Sequence, residues 1–264
     1  MCAEVCPLRI LALDPENGPQ VLPNRGHLCI GCGHCVAVCP HGALDNVRNP
    51  LAQQEHLPRY PVLDAQQALT FLRSRRSIRC YQESPVLRET LLQLLEAGRY
   101  APSGHNSQGL SYLIVEGQDS LKGICDLVIE WMREVIRSNP QLARQLHMQG
   151  VVRAHRAGLD LLLRGAPQLI VATGQKASRA AQVSTFLALE YVELYATTLG
   201  LATCWAGYVQ ACAQQYPPLS AFLRIPEDRL ITGVMMVGYP KYTYQRLPAR
   251  NPLEVTWFSQ GVTS

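Results

Sequence analysis

The chain has 264 residues, of which 47% are hydrophobic and 17% charged, with a formal net charge of +4. That length suits one large domain with a small companion, and the apolar share is enough to bury a core. The mild charge gives no argument for nucleic acid, and no run of about 18 apolar residues marks a membrane span.

The N-terminus shows neither the apolar core nor the cleavage site of a signal peptide, so a cytoplasmic, reducing location is expected. Cys29, Cys32, Cys35 and Cys39, followed by Pro40, read C-I-G-C-G-H-C-V-A-V-C-P. That is the bacterial ferredoxin spacing for a 4Fe–4S cluster. Two-residue gaps wrap thiolates around a corner of a cube, and Gly31 and Gly33 relieve the steric cost. Structural zinc usually takes two separated cysteine pairs, a pattern this run fits poorly. Cys2-Ala3-Glu4-Val5-Cys6-Pro7 repeats the end of the same motif, about 33 residues earlier. In two-cluster ferredoxins the fourth cysteine of each run ligates the other cluster. Cys6, Cys29, Cys32 and Cys35 would then complete one cluster. Cys2 and Cys39 would be left with two ligands where four are needed. Either the second cluster is lost, or the true start lies upstream of Met1. Cys80, Cys125, Cys204 and Cys212 read as buried free thiols.

Residues 1–46 are therefore expected to form a ferredoxin-type domain. Residues 47–63, with Pro50, Pro58 and Pro61, read as an extended linker, and residues 64–264 as the main domain. Helical spacing is expected over Gln66–Arg75 and Leu87–Tyr100, and long amphipathic helices over Leu121–Ser138 and Gln182–Leu199. Strands are expected at Ser111–Glu116, Gln168–Thr173 and Ile231–Gly238. The fold class is α+β, with helices flanking a central sheet.

Three constellations carry chemistry. Arg73-Ser74-Arg75-Arg76-Ser77-Ile78-Arg79 puts four arginines and two serines at a helix end. Guanidiniums give forked bonds to phosphate, although a bare charge run also suits a solvated surface. The loop Tyr100-Ala101-Pro102-Ser103-Gly104-His105-Asn106-Ser107-Gln108 gathers small and amide residues able to bond a polar, planar ligand. Leu199 to Tyr208 reads as a helix stop followed by a turn. His105, His147 and His155 read as structural histidines, and no catalytic acid or base stands out.

Together these segments resemble the nitroreductase family of flavoenzymes from Asp64 onward. With its cysteine-rich N-terminus, the whole chain resembles ferredoxin–nitroreductase fusions. The resemblance implies a homodimer holding FMN at its interface. Arg75, Arg76, Ser77 and Arg79 would hold the FMN phosphate and ribityl chain, joined by Arg246 or Arg250, which compete for one position. Pro102, Ser103 and Asn106 would reach the same flavin from the opposite subunit. Ala206 and Gly207 would offer backbone N–H groups to the flavin ring. Two departures bear on the substrate: Ala206 stands where many members carry an acid, and Gly109 where many have Pro-Trp. The implied activity passes electrons between cluster, FMN and a small acceptor such as a nitroaromatic, quinone or activated alkene. NAD(P)H, a ferredoxin or another redox partner would supply them. The alternatives are an electron-transfer module feeding a partner protein, and another flavin chemistry such as reductive dehalogenation or flavin consumption.

Overall fold

The computed structural model describes residues 1–57, 60 and 62–259. Pro58 and Pro61 of the expected linker lie outside the described residues.

The N-terminal lobe comprises α1 (Cys2–Val5), the hairpin β1 (Leu11–Asp14) and β2 (Gly18–Val21), and α2 (His34–Ala37). β1 and β2 pair antiparallel from Leu11↔Val21 to Asp14↔Gly18. Asp14 sets the turn: its carboxylate accepts the N–H groups of Glu16 and Asn17 at 2.9 and 2.7 Å. α1 lies against α2, bringing the two cysteine runs together.

In the main domain, α3 (Ala65–Ser74) begins with a capping box. The Asp64 side chain accepts from Gln67 N–H at 2.8 Å, and Gln67 reaches back to Asp64 N–H. There follow α4 (Arg88–Arg99), β3 (Ser111–Glu116), α5 (Gln118–Ser138), α6 (Pro140–Gln145), α7 (Met148–Arg156) and β4 (Gln168–Gln175). The chain continues through α8 (Ala181–Thr198), β5 (Ala202–Trp205), α9 (Gly207–Gln215), α10 (Pro217–Phe222) and β6 (Arg229–Gly238). The sheet order is β3-β4-β6-β5, antiparallel throughout.

β4 and β6 are central, and residues 168–174 and 231–238 are buried, which is why both read as continuous apolar runs. Their side chains still alternate between two cores. Leu169, Val171, Val234 and Met236 face α5, α7, α9 and α10, among Val128, Met132, Val152, Cys212 and Leu219. Ile170, Ala172, Met235 and Val237 face α4 and α8, among Leu91, Leu94, Leu189 and Val192. This is the expected α+β fold. Three readings are corrected. Of the four scattered cysteines only Cys204 and Cys212 are buried, while Cys125 is half-buried and Cys80 exposed. β5 stands where a turn was expected, because four residues are too few to show a period. α8 is not amphipathic: Ala188, Leu189 and Val192 are buried, yet Val183, Phe186, Leu187 and Tyr191 are exposed and apolar. A helix apolar all round asks for cover on both sides.

Candidate functional site

Cys6, Cys29, Cys32 and Cys35 line one cavity of about 290 Å³, walled by Ile10, Leu11, Ile30 and Leu44. No group of three His, Cys, Asp or Glu side chains converges tightly enough to hold a single metal ion among the described residues. Four thiols around a roomy apolar cavity fit a polynuclear cluster rather than zinc. Cys2 and Cys39 are not among the lining residues. Gly31 and Gly33 take φ of +66° and +72°, and a Cβ on Gly33 would lie 2.6 Å from Asn49 Nδ2. Burial works against a Cys29 thiolate. The Gly31 N–H, the Asn46 amide and Arg48 outweigh it and hold the thiol below its ordinary value.

The arginine segment leaves α3 and runs beside β5. Ser77 bridges Thr203 in parallel, and Ile78 N–H donates to Thr203 O at 2.9 Å. The four arginines differ. Arg75 pairs with Glu193 at 3.4 Å and with Glu190 at 4.0 Å. Arg76 lies over the Tyr244 ring, 5.3 Å from its centroid, and its Nε is buried with no partner among the described residues. Arg73 is exposed, and Arg79 is exposed with a 3.4 Å bond to Ser77 O. A buried guanidinium N–H without an acceptor is what a phosphate oxygen would satisfy, so these residues fit an anionic group. Arg246 and Arg250 are exposed on the segment after β6.

Glu193 carries no sequence signal beyond being an acid in an apolar helix. It is 2% exposed and gathers Arg75, the Thr203 hydroxyl at 3.1 Å and Trp205 Nε1 at 3.2 Å. Burial pushes its carboxyl above the ordinary value, against the pull of Arg75. It fastens the arginine segment and β5 to one helix. β5 leads into the turn at Ala206. The Ala206 N–H is already donated to Val234 O at 2.8 Å, which corrects its expected role as a flavin donor. Gly207 is exposed and opens α9, where the first N–H groups have no intrahelical partner.

The loop of residues 100–108 lies against the other end of α8. A Cβ on Gly104 would sit 2.5 Å from Ala180 Cβ, and Gly104 N–H donates to Ser184 Oγ. Pro102, Ser103 and Gln108 line a cavity of about 420 Å³ with Tyr112 and Ala188. His105, Asn106 and Gln108 all take positive φ, near +50°. Three such non-glycine residues in one loop store strain of the kind found at ligand clamps. Asn106 reaches the other lobe: its Nδ2 donates to Ile30 O at 3.2 Å, while its Oδ1 accepts from Gln108 at 3.3 Å. Ile30 stands between Cys29 and Cys32, so loop and cysteine turn are in direct contact. From Ser184 to Glu193 the two half-sites are separated by roughly 13 Å of helix.

Residues 72–239 match the Nitroreductase family. The chain belongs to the nitroreductase family. As a member it is an FMN-dependent oxidoreductase. Residues 1–43 of this nitroreductase match the 4Fe-4S dicluster domain. It is similar to an NADH dehydrogenase of Thermus thermophilus, 28% identical over 200 residues, covering 71% of this chain and 94% of that one. An iodotyrosine deiodinase of Thermotoga neapolitana is 24% identical over 185 residues, covering 70% and 94%. Among solved structures, an FMN-bound nitroreductase from Bacteroides fragilis superposes with a TM-score of 0.59 at 22% identity, covering 73% and 99%. Among the described residues, no helix is long and apolar enough to cross a membrane.

Proposed function

We propose that this nitroreductase passes electrons between a 4Fe–4S cluster, FMN and a small acceptor such as a nitroaromatic, quinone or activated alkene. The observation that carries the reading is the Asn106–Ile30 bond of 3.2 Å. It seats the expected flavin loop on the turn between two expected cluster ligands. Bound FMN exchanges one electron with a cluster and two with a substrate, which is the conversion such a pairing needs.

The chain's own residues then have separate tasks. Cys6, Cys29, Cys32 and Cys35 would hold the cluster in their largely apolar cavity. Arg76 supplies the phosphate with a charge-assisted donor, and exposed Arg79 and Arg246 or Arg250 add charge. Arg75 orients the segment through Glu193 rather than binding phosphate itself. The exposed Gly207 N–H at the start of α9 would offer a backbone donor to the flavin ring. Pro102, Ser103 and Asn106 serve the flavin of the opposite subunit. The separation of the half-sites along α8 supports that sharing. So do the apolar side chains of α8 and of Trp257 and Phe258, which are exposed in one chain. We assign the cluster lobe to residues 1–46, the connection to 47–63 and the flavin domain to 64–264. None of the ten cysteines is in a disulfide, which suits a cytoplasmic setting with NAD(P)H or a reduced ferredoxin as donor.

Anaerobic purification followed by iron and flavin counts tests the assignment, with about four irons and one FMN expected per chain. Steady NAD(P)H-dependent reduction of a nitroaromatic by the isolated protein is the expected activity. A loaded protein that turns over no small molecule would instead be an electron-transfer module. The Thermotoga neapolitana relative favours a second reading, reductive dehalogenation, so a halogenated phenol belongs in the same assay.

A further inference from the structure

The segment directly after the cysteine motif folds back over the cavity that the cysteines line. Asp45, Asn46, Val47 and Arg48 all contribute to its wall. Asp45 makes the reversal, because its carboxylate accepts the N–H groups of Asn46 at 2.7 Å and Leu51 at 2.8 Å. Asn46 then projects inward, and its Nδ2 lies 3.5 Å from Cys29 Sγ. The direction of that amide is fixed by a second bond: Asn46 Oδ1 accepts the N–H of Arg48 at 2.9 Å. A backbone N–H can only donate, so the oxygen must face Arg48 and the NH₂ must face the sulfur. Arg48 itself donates through Nη2 to the Cys29 carbonyl. It packs over Gly31, where a Cβ would lie 3.2 Å from Arg48 Cβ. The Gly31 N–H adds a third donor, 3.4 Å from Cys29 Sγ. Cys29 is thus bonded by two N–H donors at sulfur and one guanidinium at its carbonyl.

One-electron reduction adds a negative charge to a cluster, and its thiolate sulfurs share it. Donors to those sulfurs and a nearby cation favour the reduced form and raise the potential. We infer that Asn46, locked by Arg48, is a positioning residue that raises the reduction potential of the cluster held by Cys6, Cys29, Cys32 and Cys35. The inference rests on the cluster assignment proposed above. Neither residue belongs to the cysteine motif, and the contact spans 17 positions of sequence. The tuning contact therefore comes from the segment directly after the cysteine motif, where the cluster lobe meets the connection, rather than from the motif itself.

Two variants of the full chain, reconstituted anaerobically with iron and sulfide, test it. Asn46→Asp keeps the oxygen that accepts from Arg48, and so keeps the loop, but turns an anion toward the sulfur. Asn46→Leu removes the donor without adding charge. Optical or EPR redox titration should find the cluster harder to reduce in each variant. At a fixed potential the reduced-to-oxidised ratio should fall roughly tenfold for Asn46→Leu, equivalent to about 59 mV for one electron. Asn46→Asp should fall further. Asn46→Leu is the decisive variant, because the carboxylate of Asn46→Asp lowers the potential by its charge alone, whereas a merely structural Asn46 leaves the midpoint of Asn46→Leu at the parent value. Either variant holding the parent's iron content and the parent's midpoint would overturn the inference. A parent chain without about four irons would instead sink the cluster assignment, and the iron count separates the two failures.

Discussion

Replacing Arg76 with Met should move stability in opposite directions in the flavin-free and flavin-bound protein. Arg76 Nε is buried without a partner among the described residues. A buried donor in that condition costs about 1–3 kcal/mol. Met removes the donor and keeps an unbranched stem that fills the same path. The variant also gives up the guanidinium above Tyr244, at 5.3 Å, a contact worth about 0.5–1 kcal/mol where water reaches it. The difference leaves the flavin-free variant more stable by about 1 kcal/mol, a rise of roughly 2–4 °C in Tm for a chain of this size. With FMN the sign reverses. A lost charge-assisted bond to phosphate costs about 1.5–3 kcal/mol, or roughly tenfold to over a hundredfold in Kd. Thermal melts of stripped and FMN-saturated protein, with Kd from flavin fluorescence, give both numbers. A flavin-free Tm that falls, or an unchanged Kd, would refute the reasoning.

Glu193→Gln should alter the pH dependence of folding. The native carboxyl is raised by burial, so the native state holds its proton more tightly than the unfolded chain. Stability is then greatest below the unfolded value of about 4.3 and declines as pH rises through the higher native value. The Gln variant should lack that decline, and parallel denaturation curves across the acid range would count against it. Gly33→Ala forces a left-handed residue to carry a Cβ against Asn49, at about 1–2 kcal/mol for the backbone alone. Iron per chain should drop, and full loading would show that the turn adapts. Deleting residues 251–264 removes Trp257 and Phe258, which are 92% and 85% exposed in one chain. Burying two such side chains against a partner is worth several kcal/mol at about 25 cal/mol per Å². The truncated protein should elute as a monomer and lose FMN, whereas a yellow dimer would place the shared site elsewhere.

The sequence showed most clearly what depends on neighbours along the chain. The apolar runs of β3, β4 and β6, the capped start of α3 and the cysteine spacing were all legible, because each is a local pattern. β5 was not, since Ala202–Trp205 becomes a strand only by pairing with β6. Nor could spacing separate Arg75 from Arg76. One is claimed by Glu193, 118 positions away, and the other faces Tyr244. Glu193 itself looked like one more helix acid until α8 turned it toward β5. The cluster ligands could be grouped from a known motif, but the Asn46 amide needed the fold-back at Asp45.

The contact of Asn106 with Ile30 ties the strained loop to the peptide between Cys29 and Cys32. Neither side can shift without the other feeling it. Suppose a bound molecule displaces residues 102–108. The factor by which it prefers the reduced protein must equal the factor by which it promotes reduction of the cluster. A molecule that bound the reduced protein more tightly would then favour reduction of the cluster by that same factor. In such a protein substrate would meter its own electron supply, and the hydrogen bond from the Asn106 amide to the Ile30 carbonyl would be the hinge.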